Sequence, residues 1–391
     1  MRVNVAVSGL RHLDQVARHL QRTGELGTFY YAHRRSTGAR ALGVPRAQLV
    51  NVWPKAYIGF GYERLLGTRF HLAGREVYDL LWDVAVARRW RDCDLAHLVL
   101  QGKFRAVLEA ARRQGARLLG EVLNSHPLVM QRLLDEERDR LGLPKPAVRS
   151  GTDRQVTALA PLFDHLLAPS EVVKRSFVEQ GHDPGRITVV PFGIDTTRFH
   201  PPERTGADPD DRRFRVLCVG QISPRKGQLY LLEAWKRLRL PNAELVLIGG
   251  IDDDMHRLLA PYAGLFRHLG QVDNREIYRH YGRASVCVLP ALEDAFAYVV
   301  TEALACGVPV ITTENTGAGE LLREGETGFV VPVRDVDALA ATLELLHRDP
   351  ERRRALGGAA LAAARRMTWT AYGERLRSLY RRVLAAEQAA A

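Results

Sequence analysis

The stretch Cys287-Val-Leu-Pro-Ala-Leu-Glu-Asp-Ala-Phe-Ala-Tyr-Val-Val-Thr-Glu302-Ala-Leu-Ala-Cys-Gly307-Val-Pro-Val-Ile-Thr-Thr313 decides the fold class of this chain. An apolar run from Ala284 to Leu289 has strand length and ends at Pro290. An acidic loop follows, then a helical run from about Tyr298 to Cys306, stopped by Gly307 and Pro309, and a β-branched run from Val308 to Thr312. That order is strand, loop, helix, strand. In such a unit the loop lies at the carboxyl end of the first strand, where open parallel sheets bind ligands, and the N–H groups opening the helix point at whatever sits there. An anion is the expected guest.

Two carboxylates frame the loop. Asp294 is at its tip, and Glu302 lies about one turn inside the helix, roughly 6 Å below its first N–H groups. Neither suits a phosphate, but each accepts hydrogen bonds in two directions and can chelate a diol. Together with the helix start they predict a phosphate flanked by polyols, the chemistry of a nucleotide sugar. The plainer alternative makes Asp294 a helix-capping residue and Glu302 a solvated one, since acids favour helix starts in any case.

Outward from this unit, the 391 residues and 46% hydrophobic content suit two domains, each with its own core. No window approaches eighteen apolar residues, and Met1-Arg-Val-Asn-Val-Ala-Val-Ser-Gly9 reads as a strand and turn rather than a signal, so a cytoplasmic protein is expected. Cys93, Cys218, Cys287 and Cys306 are scattered singly, without metal-ligand spacing, and read as reduced core residues. The net charge of +11 is uneven. Residues 1–200 hold roughly 30 basic against about 20 acidic side chains, and the remainder is nearly balanced. No nucleic-acid-binding pattern accompanies the charge, so nucleic acid is excluded as a partner. The asymmetry points to an anionic acceptor or to peripheral contact with an anionic membrane at its inner face, the alternative being composition alone.

Val3 to Val7 starts the chain as a strand, followed by Ser8-Gly9 and a helix with Leu13, Val16, Ala17 and Leu20 at helical spacing; His12 at its opening faces either the cleft or solvent, with solvent favoured. Residues 52–70 mix Trp53, Tyr57, Phe60 and Tyr62 with Lys55 and Arg64, fitting a ligand-facing or lipid-facing segment or a plug under a loop. A strand from Ala116 to Leu123 leads to Asn124-Ser125-His126-Pro127, where Pro127 biases His126 to extended geometry and towards an interdomain cleft; a satisfied loop histidine is the alternative. The alternating charges after Gln131 mark a solvated helix face. Residues 196–212 have linker composition, dividing a first domain, 1–195, from a second, 213–368, with a basic amphipathic helix over 369–391. The second domain opens with a strand, Phe214 to Val219, then Gly220-Gln-Ile-Ser-Pro-Arg225-Lys226-Gly227 and a helix from about Gln228, a glycine turn that aims cations at a helix start.

These motifs resemble the retaining glycosyltransferases of the GT-B fold, in particular glycosyltransferase family 4. Asp294-Ala-Phe-Ala297 stands where that family usually has Glu-Gly-Phe-Gly, and Glu302-Ala-Leu-Ala-Cys-Gly-Val-Pro-Val-Ile311 follows its pattern almost residue for residue. The resemblance covers nearly all of residues 213–385 and, in the first domain, mainly the strand spacing. It implies an α/β fold of two doubly wound Rossmann-like domains facing across a cleft, and transfer of a sugar from a UDP-, GDP- or ADP-linked donor to a glycan, lipid-linked or small-molecule acceptor. Neither metal nor further cofactor is implied.

By the same resemblance His126 and Asp294 would meet the sugar, and Lys226 with Phe296, Ala297, Tyr298 and Val299 would meet the diphosphate. Glu302 would hold the ribose, and Gln271 and Val272 would lie at the base. Gly220, Gln221, Arg225 and Lys226 form the phosphate loop, with Gln221 in place of the family's Arg and Arg225 as a neighbouring substitute. The final helix would brace the first domain. Ala295 and Ala297 replace loop glycines, which excludes easy positive φ and slightly crowds the donor, so the sugar's identity is where this chain is expected to differ. A non-catalytic nucleotide-sugar or glycan binder of the same fold is the alternative that these departures suggest.

Overall fold

The structure, a computed structural model, describes residues 1–7, 12–32, 43–52, 71–100, 104–145, 151–201 and 213–388. The Ser8-Gly9 turn, the aromatic segment from Trp53 to Phe70 with Lys55 and Arg64, and most of the linker lie outside the described residues.

Two all-parallel sheets carry the chain. The first contains β1 (Val3–Val7), β2 (Leu26–Tyr31), β3 (Leu49–Asn51), β4 (Leu95–Val99), β5 (Arg117–Glu121), β6 (His165–Ala168) and β7 (Ile187–Val189) in the order 3-2-1-4-5-6-7. The second contains β8 (Phe214–Val219), β9 (Ala243–Ile248), β10 (Arg267–His268), β11 (Val286–Leu289), β12 (Val310–Thr313) and β13 (Gly328–Val331) in the order 10-9-8-11-12-13. Each order reverses direction at its first strand, so each sheet has a topological switch point, between β1 and β4 and between β8 and β11. Strands buried on both faces must be apolar along their length, and Val-Cys-Val-Leu of β11 is fully buried. With helices on both faces, this is the two-domain GT-B architecture.

The domains meet at the hinge, along the closing helix and across the cleft. At the hinge, Ile194 N–H donates to the Met367 carbonyl at 2.7 Å, and Gly193 sits so close to Trp369 that a Cβ would overlap its backbone. The closing helix, Trp369–Gln388, then lies on the first domain: Arg377 pairs with Glu25, and the Tyr380 hydroxyl shares a hydrogen bond with His97 Nδ1 at 2.8 Å. Across the cleft, Glu320 accepts from the N–H groups of Glu171 and Val172 at 2.8 and 2.7 Å, so a carboxylate of the second domain caps a helix of the first.

Glu137 corrects the expectation of a solvated helix face. It is 1% exposed, taking the Arg334 guanidinium at 2.7 Å and the Tyr230 hydroxyl at 2.9 Å. Closure of the domains buries this acid, and the partners that make burial tolerable come from the other domain. His12 is corrected in the same way. Its side chain is 7% exposed, with Nε2 2.7 Å from Glu121 and the ring packed on Phe192.

Candidate functional site

The loop after β8 is shaped by two glycines. Gly220 has φ +142° and Gly227 φ +65°; a Cβ at Gly227 would overlap the Pro290 carbonyl oxygen, so this loop lies directly against the end of β11. Between them Pro224–Lys226 forms a short 3-10 turn that presents two cations, and they go to different acids. Lys226 Nζ donates to Asp294 Oδ2. Arg225 donates to Glu293 Oε2 at 3.1 Å and to the Glu293 carbonyl at 3.3 Å. Arg225 is thus held by Glu293 rather than standing beside Lys226 in place of the Arg that Gln221 replaces. Gln221 is turned outward, donating to Asp252 at 2.6 Å.

Asp294 serves two ends at once. Its Oδ2 takes Lys226, and its Oδ1 accepts from the Ala297 N–H at 3.0 Å at the start of the helix Tyr298–Ala305. The capping and site-building readings of Asp294 coincide. In the first turn of this helix the Val300 N–H donates to the Ala297 carbonyl at 3.0 Å. Phe296 is buried, with its carbonyl taken by Ala318 N–H at 2.7 Å, and Tyr298 stacks on Phe192 of the hinge at 5.4 Å.

Ala297 takes a positive φ that is not easy for alanine. It has φ +62° and ψ +76°, because the turn into the helix needs a left-handed residue whatever the side chain. That conformation costs an L-residue roughly 1–2 kcal/mol. Ala297→Gly is expected to raise stability by about 0.5–1 kcal/mol after the extra chain entropy of glycine is counted, read as a higher midpoint in thermal unfolding.

Glu302 lies one turn further in, accepting from the buried Tyr281 hydroxyl at 2.8 Å. Burial holds its carboxyl above the usual range, and the Tyr281 bond and the charge of Arg198 oppose that only in part. Gln271 lies beside Gln221, both close to where a Cβ on Gly250 would stand, and Val272 packs on the core. The 220–227 loop, the acidic loop and the 271–272 segment thus all lie just beyond the carboxyl ends of strands of the second sheet.

His126 is not brought to them. Its backbone is extended, φ −53° and ψ 132°, as Pro127 dictates, but the ring folds back so that Nδ1 accepts from Leu128 N–H at 3.3 Å as a helix cap. It is 2% exposed between Phe177 and His182, and burial with the His182 charge pushes its pKa down to about 4. This corrects the expectation that it faces the cleft. The residue of that turn that crosses the cleft is Ser125, which donates to Glu293 Oε1 at 2.8 Å.

Neither Glu293 nor Ser125 carried a sequence signal beyond the acidic loop itself. A cavity of about 300 Å³ lies apart from these residues, at the hinge, lined by Phe192, Met367, Tyr372, Arg366 and Arg375. Among the described residues no group of three or more His, Cys, Asp or Glu side chains is placed to hold a metal ion, and no helix is long and apolar enough to cross a membrane.

Comparison with known proteins gives a consistent picture. The model described as Glycosyltransferase Family 4 matches residues 10–198, and that described as Glycosyl transferases group 1 matches residues 202–362. The chain is 32% identical over 264 residues to a D-inositol 3-phosphate glycosyltransferase of Thermomonospora curvata, covering 61% of this chain and 60% of that protein. It is 33% identical over 216 residues to a GDP-mannose-dependent alpha-(1-6)-phosphatidylinositol monomannoside mannosyltransferase of Mycolicibacterium smegmatis, covering 49% and 55%. The matched region spans about three fifths of these curated relatives. In fold, the chain is similar to sucrose-phosphate synthase from Thermosynechococcus elongatus, with a TM-score of 0.71 at 19% identity over 99% of this chain and all of that one. It is also similar to Anabaena HepE in complex with UDP and glucose, with a TM-score of 0.66 at 16% identity over 97% and 99%.

Proposed function

Because the chain belongs to the family 4 glycosyltransferases of the GT-B fold, matched by their models over both domains, we propose that it moves a sugar from a nucleoside diphosphate donor to an acceptor hydroxyl with retention at the anomeric carbon. The observation that carries this reading is the meeting of Lys226 and Asp294 at the opening of the helix Tyr298–Ala305. A cation, a row of N–H donors and a hydroxyl-accepting carboxylate are what a sugar diphosphate requires of a site.

In this reading the bond between the anomeric carbon and the diphosphate oxygen breaks as Lys226 and the helix N–H groups take up the leaving group's charge. The acceptor hydroxyl attacks from the face the diphosphate leaves, and its proton passes to the departing phosphate oxygen. Asp294 releases Lys226 to the diphosphate and holds sugar hydroxyls; Glu302 holds the ribose. The site needs no metal in this account, so turnover should persist in a chelator. The acceptor is a glycan, a lipid-linked sugar or a small molecule, and the basic first domain favours an anionic one or an anionic membrane surface bearing it.

The experiment begins with a thermal-shift screen of UDP-, GDP- and ADP-sugars, since a ligand that binds the native state raises its midpoint. With the donor that binds, Glu302→Ala should lower affinity for the nucleoside diphosphate, whereas Asp294→Ala should lower turnover more than that affinity. Equal loss of nucleotide affinity in both variants would make the division of roles wrong. Binding of a donor without transfer or donor hydrolysis would favour a non-catalytic binder.

A further inference from the structure

Glu293 is a charged residue buried in the acidic loop whose partners come from both domains. It is 4% exposed; Oε1 accepts from the hydroxyl of Ser125, in the turn that follows β5 of the first domain, and Oε2 from Arg225, in the phosphate loop of the second. Ser125 is buried as well. One carboxylate thus holds one of the two cations of the phosphate loop and ties it across the cleft. Its neighbour Asp294 holds the other cation but spends its second oxygen on the helix start.

We propose that Glu293 sets the donor affinity of this site: it is an internal anion that competes with the diphosphate for Arg225, held in place by Ser125 when the domains are closed. The proposal rests on reading residues 220–227 as the diphosphate loop. For Arg225 to turn to a diphosphate, Glu293 would be left buried with a hydroxyl as its single remaining partner, and stranding one member of a buried ion pair is strongly unfavourable. Arg225 therefore stays with Glu293, and the loop offers the diphosphate one cation, Lys226. The product of transfer is the nucleoside diphosphate itself. A second free cation would hold that product longer, and its release limits turnover in many enzymes.

The test is calorimetric titration of UDP, GDP and ADP, and of the matching nucleosides, into the full chain. Glu293→Gln keeps the shape and removes the charge. It should bind the diphosphate that the wild type prefers about tenfold or more tightly, as a freed charge-assisted contact allows. Nucleoside affinity should be unchanged, and the double variant Glu293→Gln/Arg225→Ala should return to near wild-type affinity. Ser125→Ala, which removes only the tether, should shift affinity in the same direction by less, and keeps the question open to measurement if Glu293→Gln does not fold.

A gain that survives in the double variant overturns the proposal, as does a Glu293→Gln chain of normal unfolding midpoint that binds no more tightly. If a nucleoside diphosphate binds and Lys226→Ala weakens it while Glu293→Gln changes nothing, the donor reading stands and this inference alone falls. If no nucleoside diphosphate binds the wild type, both fall.

Discussion

Lys226→Ala is expected to lower turnover by about 10²–10³-fold, the loss typical of removing one preorganised group that stabilises developing charge. Arg225 cannot stand in for it, because its guanidinium is committed to Glu293, and Gln221 is turned to Asp252. Affinity for the free nucleoside diphosphate should fall by roughly tenfold or more, since a hydrogen bond to a charged group contributes about 1.5–3 kcal/mol. The folded state should survive: Asp294 loses its cation but keeps the Ala297 N–H, and it retains some contact with water. Lys226→Arg should recover part of the affinity, being a cation of different shape. Initial rates with the donor identified by thermal shift, together with calorimetry of the diphosphate, check both effects. Turnover within a few-fold of wild type would remove Lys226 from the leaving group.

The glycine turn and the acidic loop of the candidate site were readable in sequence because their parts are local. A strand buried on both faces is a continuous apolar run, and a glycine turn or an acid at a helix start follows within a few residues. Hence β8, with its loop and following helix, and β11, with the acidic loop and the helix Tyr298–Ala305, were expected within one or two residues of where they lie. What was not readable depends on partners distant in the chain. Glu137 looks like one charge among many until Arg334, 197 residues later, meets it. Glu293 differs from a solvated loop acid only because Ser125, 168 residues earlier, reaches it. His126 shows a different failure. Its backbone geometry was set by Pro127, but the direction of its ring was decided by the unpaired Leu128 N–H at the helix start, a demand that a catalytic reading of the same residue overlooks. Ala297 shows that a required left-handed turn can prevail over a side chain's local preference, at a cost in strain.

The largest loss of stability is expected away from the donor, at Glu121. This carboxylate ends β5, is 1% exposed, and gathers His12 at 2.7 Å, His97 at 3.2 Å and the Tyr372 hydroxyl at 3.1 Å. Burial alone would push its carboxyl up, but the nearby charges of His12 and His97, with the His12 hydrogen bond, outweigh that and hold it well below the usual carboxylate range. Three segments converge on it: His12 from the opening of the first helix, His97 from β4, and Tyr372 from the helix that returns from the second domain. Glu121→Ala strands these groups in a dry site, and breaking a buried pair by removing one partner typically costs about 3–5 kcal/mol. Denaturant unfolding should show a loss of that order. It should also show earlier detachment of the helix Trp369–Gln388, followed through hydrogen exchange of its amides, than in a variant of an exposed pair such as Arg348→Ala. The sign of the pH dependence follows from the depressed pKa. The stabilisation is complete above the unfolded carboxylate's value, near 4.5, and is lost as pH falls from there towards the folded value, so the gap between wild type and Glu121→Ala should be full at pH 7 and narrow below about pH 4.5. A gap that stays constant through that range would mean that Glu121 contributes by filling space rather than by its charge.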